Sequence, residues 1–531
     1  MAVSSLMSGM LFVSLVLFGS FNLGFTVANL FFLVAGSIYL KNSAKGAGVF
    51  GWVLLILCGI GSVVFSLTSD GFIKLILFLL LCFAEASLFR VLTVGKKSLG
   101  DLKLPLVVLY TVFVPTFDHI MGSVKLLFSG RKEKAGQYKK VFGGVLLALP
   151  VLLVVVPLLI NSDAAFEGLI KTIGGDFFLW ILKIALGLLA APFIYTYFFA
   201  NRCFGENYQI SQKLKPRADS LWGISFLGAI SLCYLLYLFS QLAYIFGGLS
   251  GILPENYTMA EYARRGFFEI AIISAINFTL VHGSLLICKR TKLFSAFQIF
   301  VCAFTMFLIV TAEAKMVMYI NRFGMTKLRL LTSSFLLFLF VLGIVFILRC
   351  ICKKLPVIRP AMITALVLTI LIGSAGTGRI VATYNAEAYI GGKLATVDVE
   401  TISNCGDAAV GQLIKLEKHL KNGKDSDSYN KVVEKLIAKF YETYAFKPSG
   451  ELIHKEENKF ENRNLEASIS LKAFDKFIEA NPDFIQKAFW YESPQNEYSS
   501  YDNEAYINYS SWLDYGLVDP VAPPEFAVTE K

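Results

Sequence analysis

Long apolar runs separated by short charged loops dominate residues 1–377. Residues 1–40 hold no charged side chain. At 1.5 Å per residue they make about 60 Å of helix, enough for two crossings of a hydrocarbon core of ~30 Å. The break falls near Gly19 to Gly24. Further runs lie at Val49–Leu67, Phe72–Leu92, Val141–Ile160, Phe177–Ala200, Leu221–Phe246, Gly266–Cys288, Leu293–Ile320, Leu330–Leu348 and Pro360–Ser374. Runs of this length with few charges predict membrane-spanning helices. With the first pair, the pattern predicts about eleven spans.

The pattern changes after Gly373-Ser374-Ala375-Gly376-Thr377-Gly378. No strand precedes this glycine-rich segment, so it is read as small residues closing a packed helix and not as a dinucleotide fingerprint. Beyond it the apolar positions follow helix spacing in Val410–Leu420, Tyr429–Tyr444 and Leu465–Ile478. The expected fold is therefore all-α: a polytopic membrane domain over residues 1–377, a small helical extracytoplasmic domain over 378–489, and an acidic aromatic tail over 490–531. The first apolar run has no basic segment before it, so no cleaved signal peptide is expected.

Charge sets the orientation. Residues 378–531 carry 17 Lys/Arg and 25 Asp/Glu, whereas the whole chain carries +10. A basic membrane part is thus joined to an acidic tail domain. The loops holding Lys41 and Lys45, Lys96 and Lys97, Lys213 and Arg217, Lys289 and Arg290, and Arg349 and Arg359 all fall on one side. The Lys/Arg bias makes that side cytoplasmic. The N-terminus is then inside and the C-terminal domain outside. The basic loops face anionic lipid, which accounts for the charge without nucleic acid. Residues 104–128 contain Pro115, Asp118 and His119 and have basic flanks on both sides. They are read as an interfacial or re-entrant helix, because a segment returning to the same side does not span.

Candidate chemistry is sparse. The polar island Ile252–Glu269 (ILPENYTMAEYARRGFFE) carries Thr258 and Glu261 at capping-box spacing, with Glu261, Arg265 and Glu269 four residues apart on one helix face. Arg264 and Arg265, like Arg322, Lys327 and Arg329 after the ninth span, lie on the side where basic residues are disfavoured. They need an anionic partner: either the acidic tail domain docking onto its own membrane part, or an anionic ligand. Within the spans Glu85, Lys183, His282 and Glu313 are candidates for a polar pathway. No nucleotide-binding, hydrolase or metalloprotease motif is found, and the nine cysteines and four histidines show no metal spacing. No catalytic residue, metal or cofactor is expected.

The island resembles the signature loop of a bacterial multi-pass membrane family known as a domain of unknown function (type 4173/4153). Met316-Val-Met-Tyr319 with Phe323-Gly-Met-Thr-Lys-Leu-Arg329, and Ala382-Thr-Tyr-Asn385-Ala-Glu387-Ala-Tyr389, resemble two further segments of that family. Ala382 and Thr383 replace a basic residue expected before Tyr384. The resemblance implies a bacterial cytoplasmic-membrane protein and no activity. Two functions fit these features. One is binding or moving an anionic envelope or lipid-type ligand. The other is a sensor or assembly subunit whose acidic C-terminal domain reads a signal or a partner protein.

Overall fold

Most described residues of the computed structural model are helical. It describes residues 1–41, 48–95, 103–127, 175–205, 207, 218–249, 267–352, 354–421, 423, 425–446, 452–454, 464–485 and 488, and isolated positions between 144 and 162. The helices are α1 Ala2–Phe12 (continued by a π turn to Leu17), α2 Leu23–Lys41, α3 Gly48–Val64, α4 Gly71–Val94, α5 Leu104–Leu127, α6 Gly175–Phe204, α7 Ser220–Leu249, α8 Phe267–Ile287, α9 Lys292–Phe323, α10 Lys327–Ile351, α11 Ile358–Ala375, α12 Thr377–Ile390, α13 Val399–Ser403, α14 Val410–Leu420, α15 Ser426–Thr443 and α16 Leu465–Ala480. Eight of them are long and apolar enough to cross a membrane: α2, α4, α6, α7, α8, α9, α10 and α11. Ala2–Leu17, Gly48–Val64 and Leu104–Ile120 are shorter apolar helices. The run expected at Val141–Ile160 lies mostly outside the described residues. Leucines and phenylalanines such as Leu75, Leu79, Phe226, Leu232 and Phe239 point outward from these helices, a surface that water would penalise and lipid accepts. The protein is a multi-pass integral membrane protein.

Two cores hold the bundle. One joins α1–α4, α6 and α11 around Phe25, Leu54, Phe65, Leu77, Phe89, Phe198 and Leu366. The other joins α7–α10 around Leu227, Phe278, Val281, Phe294, Leu308 and Leu336. Sequence capping explains where several helices begin. Asp70 accepts from Phe72 N (3.0 Å) and Ile73 N (3.1 Å) at the start of α4, and Thr326 accepts from Arg329 N (3.3 Å) at the start of α10. Each satisfies an amide that the first turn leaves open. The glycine-rich segment behaves as expected: a side chain at Gly373 would lie 2.6 Å from Val64, and Gly376 turns the chain at φ +77° between α11 and α12.

Five arginines gather at one end of the bundle, where they cap carbonyls or lie over rings. Arg90 Nη1 donates to Gly205 O (2.6 Å), Arg290 Nη2 to Arg349 O (2.8 Å), and Arg349 Nη1 to Leu355 O (3.0 Å). Arg202 lies over the Tyr39 ring at 4.5 Å and Arg359 over Phe50 at 5.4 Å. Helix α5 touches this same end twice. Leu104, Val107 and Val108 pack with Val91, Phe50 and Ile358, and His119 stacks on Phe204 at 4.2 Å. Twelve residues of helix separate Val107 from His119, a rise of about 18 Å, yet both ends meet side chains near the basic rim.

At the other end lie α12–α16 with their own core, built on Val381, Ile402, Leu413, Leu416, Leu436, Phe440, Phe474 and Phe477. The three helices expected from apolar spacing are α14, α15 and α16. A short antiparallel pair, Tyr444–Phe446 with Leu452–His454, was not anticipated. Three-residue strands are too short for an alternation signal.

Candidate functional site

The end of the bundle and the C-terminal helices are joined by a hydrogen-bonded seam. The turn between α3 and α4 supplies one side. Ser66 O accepts from Leu465 N (2.8 Å). Ser69 N donates to Glu466 Oε2 (2.8 Å), and Ser69 Oγ to Asn464 Oδ1 (3.3 Å). Asp70 uses one carboxylate oxygen to cap α4 and accepts the Thr377 hydroxyl with the other. Asn464 does the same double duty, since its Oδ1 also caps α16 through Ala467 N (2.7 Å). The turn between α9 and α10 supplies the second side. Asn385 in α12, 4% exposed, accepts from Met325 N (2.7 Å) and donates to Met325 O (2.7 Å). A side chain at Gly324 would meet Asn385 Oδ1 at 2.6 Å, so glycine is what lets the amide approach. Tyr384 OH adds a bond to Asn321 Oδ1 (3.2 Å).

Beside the seam opens a cleft of about 360 Å³. Its floor comes from the bundle (Ser69, Asp70, Lys327) and its walls from the C-terminal helices (Asn404, Cys405, Asp407, Lys435, Lys439, Glu442, Glu466). Lys327 Nζ donates to Asn404 O (3.0 Å). Lys435 pairs with Glu400 (2.7 Å). Lys439 bridges Asp407 (3.1 Å) and Glu442 (2.9 Å). Burial alone pulls the Lys439 ammonium down, but its hydrogen bonds and the charges of Glu442 and Asp407 outweigh that, so its pKa is raised. Burial pushes the Cys405 thiol up to about 11, which leaves it protonated and unreactive. A second cleft of about 230 Å³ shares Asp407, Lys439 and Glu442 and runs past His454, Asn464 and Ser470. The arrangement can bind a polar ligand of mixed charge. Among the described residues no cluster of His, Cys, Asp and Glu is placed to hold a metal ion.

Residues 28–416 match the family described as a domain of unknown function (DUF4153). The chain belongs to that family. No curated protein and no solved structure matches the chain. The family region runs from within α2 through most of α14, so Asp70, Lys327, Thr377 and the Asn385 clamp lie within it, whereas Glu466 lies beyond it.

The expected site residues fall in several places. Glu261, Arg264 and Arg265, with the Thr258 cap, lie outside the described residues. Glu269 is exposed in the first turn of α8. Arg322 is exposed at the end of α9. Arg329 packs over the Tyr319 ring at 4.1 Å and donates to the Phe323 (3.3 Å) and Gly324 carbonyls. It therefore closes the α9–α10 turn. Of that basic trio, among the described residues, Lys327 is the one bonded across the seam, and its partner there is the Asn404 carbonyl. Inside the spans, Glu85 accepts from Asn29 Nδ2 (2.8 Å), which also donates to Ser62 Oγ (2.9 Å). Lys183 lies 5.6 Å from the Phe18 ring, and His282 meets Phe346 edge-on at 6.3 Å. Glu313 is half-buried on α9. Glu85 belongs to the first core and His282 to the second, so the structure does not assemble these groups into one site. The seam residues Asp70, Thr377, Asn385 and Glu466 were not singled out from sequence. The available signal was local: Asp70 precedes Gly71-Phe72, and Asn464 precedes Leu465-Glu466, both at cap spacing.

Proposed function

We propose that this family member is a polytopic protein of the bacterial cytoplasmic membrane with eleven spans, its N-terminus inside and residues 378–489 forming a cap outside. Its task is recognition at the outer face, with the cap as the reading element. The observation that carries this is the cleft whose floor is bundle and whose walls are cap. A ligand or partner segment bound there touches both and biases how they sit together. The described polar groups within the spans lie in separate cores, which favours recognition over carriage through the bundle. Helix α5 meeting the basic rim at both ends supports its reading as an interfacial or re-entrant helix against anionic cytoplasmic lipid, and this keeps the span count odd. The half-exposed Lys327 and the exposed Arg322 at the cap's end support an anionic envelope or lipid-type ligand; a protein partner of the cap is the alternative occupant. Native mass spectrometry of the purified full chain tests the proposal. A discrete bound species is expected on the wild-type protein and is lost in Lys327→Glu. Absence of any bound species, or one that survives this change and Lys439→Glu together, contradicts it.

A further inference from the structure

The outer face of α16 does not look like the rest of the cap surface. Leu465 is 48% exposed and Ile469 50% exposed, and they lie one turn apart on the face opposite the buried Ser470, Phe474 and Phe477. The same stripe continues with Lys472 and Lys476, both exposed. One face of the helix is thus apolar at its N-terminal end, cationic through Lys472 and Lys476, and ends on the exposed Glu479. The seam fixes where that apolar end sits. Leu465 N is bonded to Ser66 O at 2.8 Å, and the next residue, Glu466, holds Ser69 N. The first turn of α16 is therefore level with the α3–α4 turn. Immediately below that turn the bundle's outward side chains are Phe72, 55% exposed, and Leu75, 56% exposed, which belong to the lipid-facing surface.

We propose that α16 is a membrane-interface helix: Leu465 and Ile469 enter the acyl-chain boundary of the leaflet at the cap's end, and Lys472 and Lys476 meet lipid phosphates. The argument is continuity. The Leu465–Ile469 patch extends an apolar surface that lipid already covers, and the polarity changes from apolar to cationic with distance from the turn, in the order a bilayer presents acyl chain and then phosphate. The inference rests on the membrane reading of the bundle and is independent of which side of the membrane the cap occupies. A consequence is that the cap is held by lipid as well as by the seam, so lipid composition acts on the cleft directly.

The test uses the full chain in nanodiscs of phosphatidylcholine with phosphatidylglycerol. Single nitroxide labels are placed by Leu465→Cys and Ile469→Cys. The background changes the non-buried cysteines Cys82, Cys203, Cys233, Cys288 and Cys352 to Ala. Reference labels sit at the lipid-facing Phe72 and at the exposed Asp427. Relaxation by oxygen reports acyl chain, and relaxation by a water-soluble nickel chelate reports water. The expected result is an oxygen-to-nickel ratio at 465 and 469 several-fold above that at 427 and close to that at 72. Ratios matching 427 overturn the proposal. Low accessibility to both reagents also overturns it, because it means that protein, such as residues 490–531 or a second copy, covers the stripe. Since all four label sites are exposed, each variant is expected to fold, and a monodisperse elution profile establishes this before the spectra are compared.

Discussion

Replacing Asn385 with alanine tests the seam at its most buried point. The side chain makes two bonds of 2.7 Å to the backbone of a single residue, Met325, and joins α12 to the turn between α9 and α10. Each bond contributes about 1 kcal/mol net, and leaving a buried donor or acceptor open costs about 1–3 kcal/mol. Met325 is only half-buried, so water recovers part of the second cost. The expected penalty for Asn385→Ala is about 2–4 kcal/mol against cap docking, or roughly a 30- to 700-fold rise in the undocked population at ~1.4 kcal/mol per tenfold. Limited trypsin digestion of the reconstituted protein reads this population when opening and closing are fast relative to cleavage. Cleavage within the lysine-rich α14–α15 region should accelerate accordingly. The exposed Tyr384 hydroxyl makes one bond of 3.2 Å, so Tyr384→Phe should change the rate by less than about fivefold. Wild-type cleavage for Asn385→Ala, or equal effects for the two variants, would refute the reasoning.

Two further outcomes are expected. Lys439 has a folded pKa raised above the usual lysine value of about 10.4. Its stabilisation is therefore fully present below that value and lost as pH rises through the folded pKa. Lys439→Met should lower the cap's unfolding temperature by a few degrees between pH 7 and 9, and the gap should shrink as the pH rises past the ordinary lysine value and through the raised folded one; a gap unchanged across that rise would contradict the pairing. In the bundle, α1 and α6 approach through glycines: a side chain at Gly9 would lie 2.7 Å from Gly187 O, and one at Gly187 would lie 2.9 Å from the Met10 side chain. Gly187→Leu should force the helices apart at a cost of about 1–3 kcal/mol or more, seen as a lower melting temperature in detergent, and an unchanged value would show that this contact is loose.

Much of this architecture is legible in the residue pattern. The apolar runs locate the helices because lipid requires long uncharged stretches, and α14–α16 follow from helix-spaced apolar positions with nearly the observed boundaries. Val410–Leu420 is the observed α14. The site is far less legible. Its groups come from residues 69–70, 324–327, 377–385 and 464–466, distant in sequence and each explicable locally as a cap or turn. Asp70 and Asn464 look like helix caps and are helix caps; their second bonds across the seam leave no trace in the local pattern. Arg329 looks like a docking charge because the Lys/Arg bias of the loops would put it on the disfavoured side, yet its guanidinium is spent on the carbonyls of its own turn. Asn385 sits in a stretch that resembles the family, but only the fold shows why an amide is needed there, since it takes a donor and an acceptor together to bind both polar groups of one backbone residue.

The most direct measurement for the outer cap is a pair of reporter fusions after Lys531 in a bacterial host, one to alkaline phosphatase, which is active only outside the cytoplasm, and one to a green fluorescent protein, which folds to a fluorescent form only inside. With eleven spans, the N-terminus inside and α5 confined to the basic rim, phosphatase activity should be high and fluorescence absent. A fluorescent, phosphatase-negative pair would put the cap in the cytoplasm, make the span count even, and contradict recognition at the outer face.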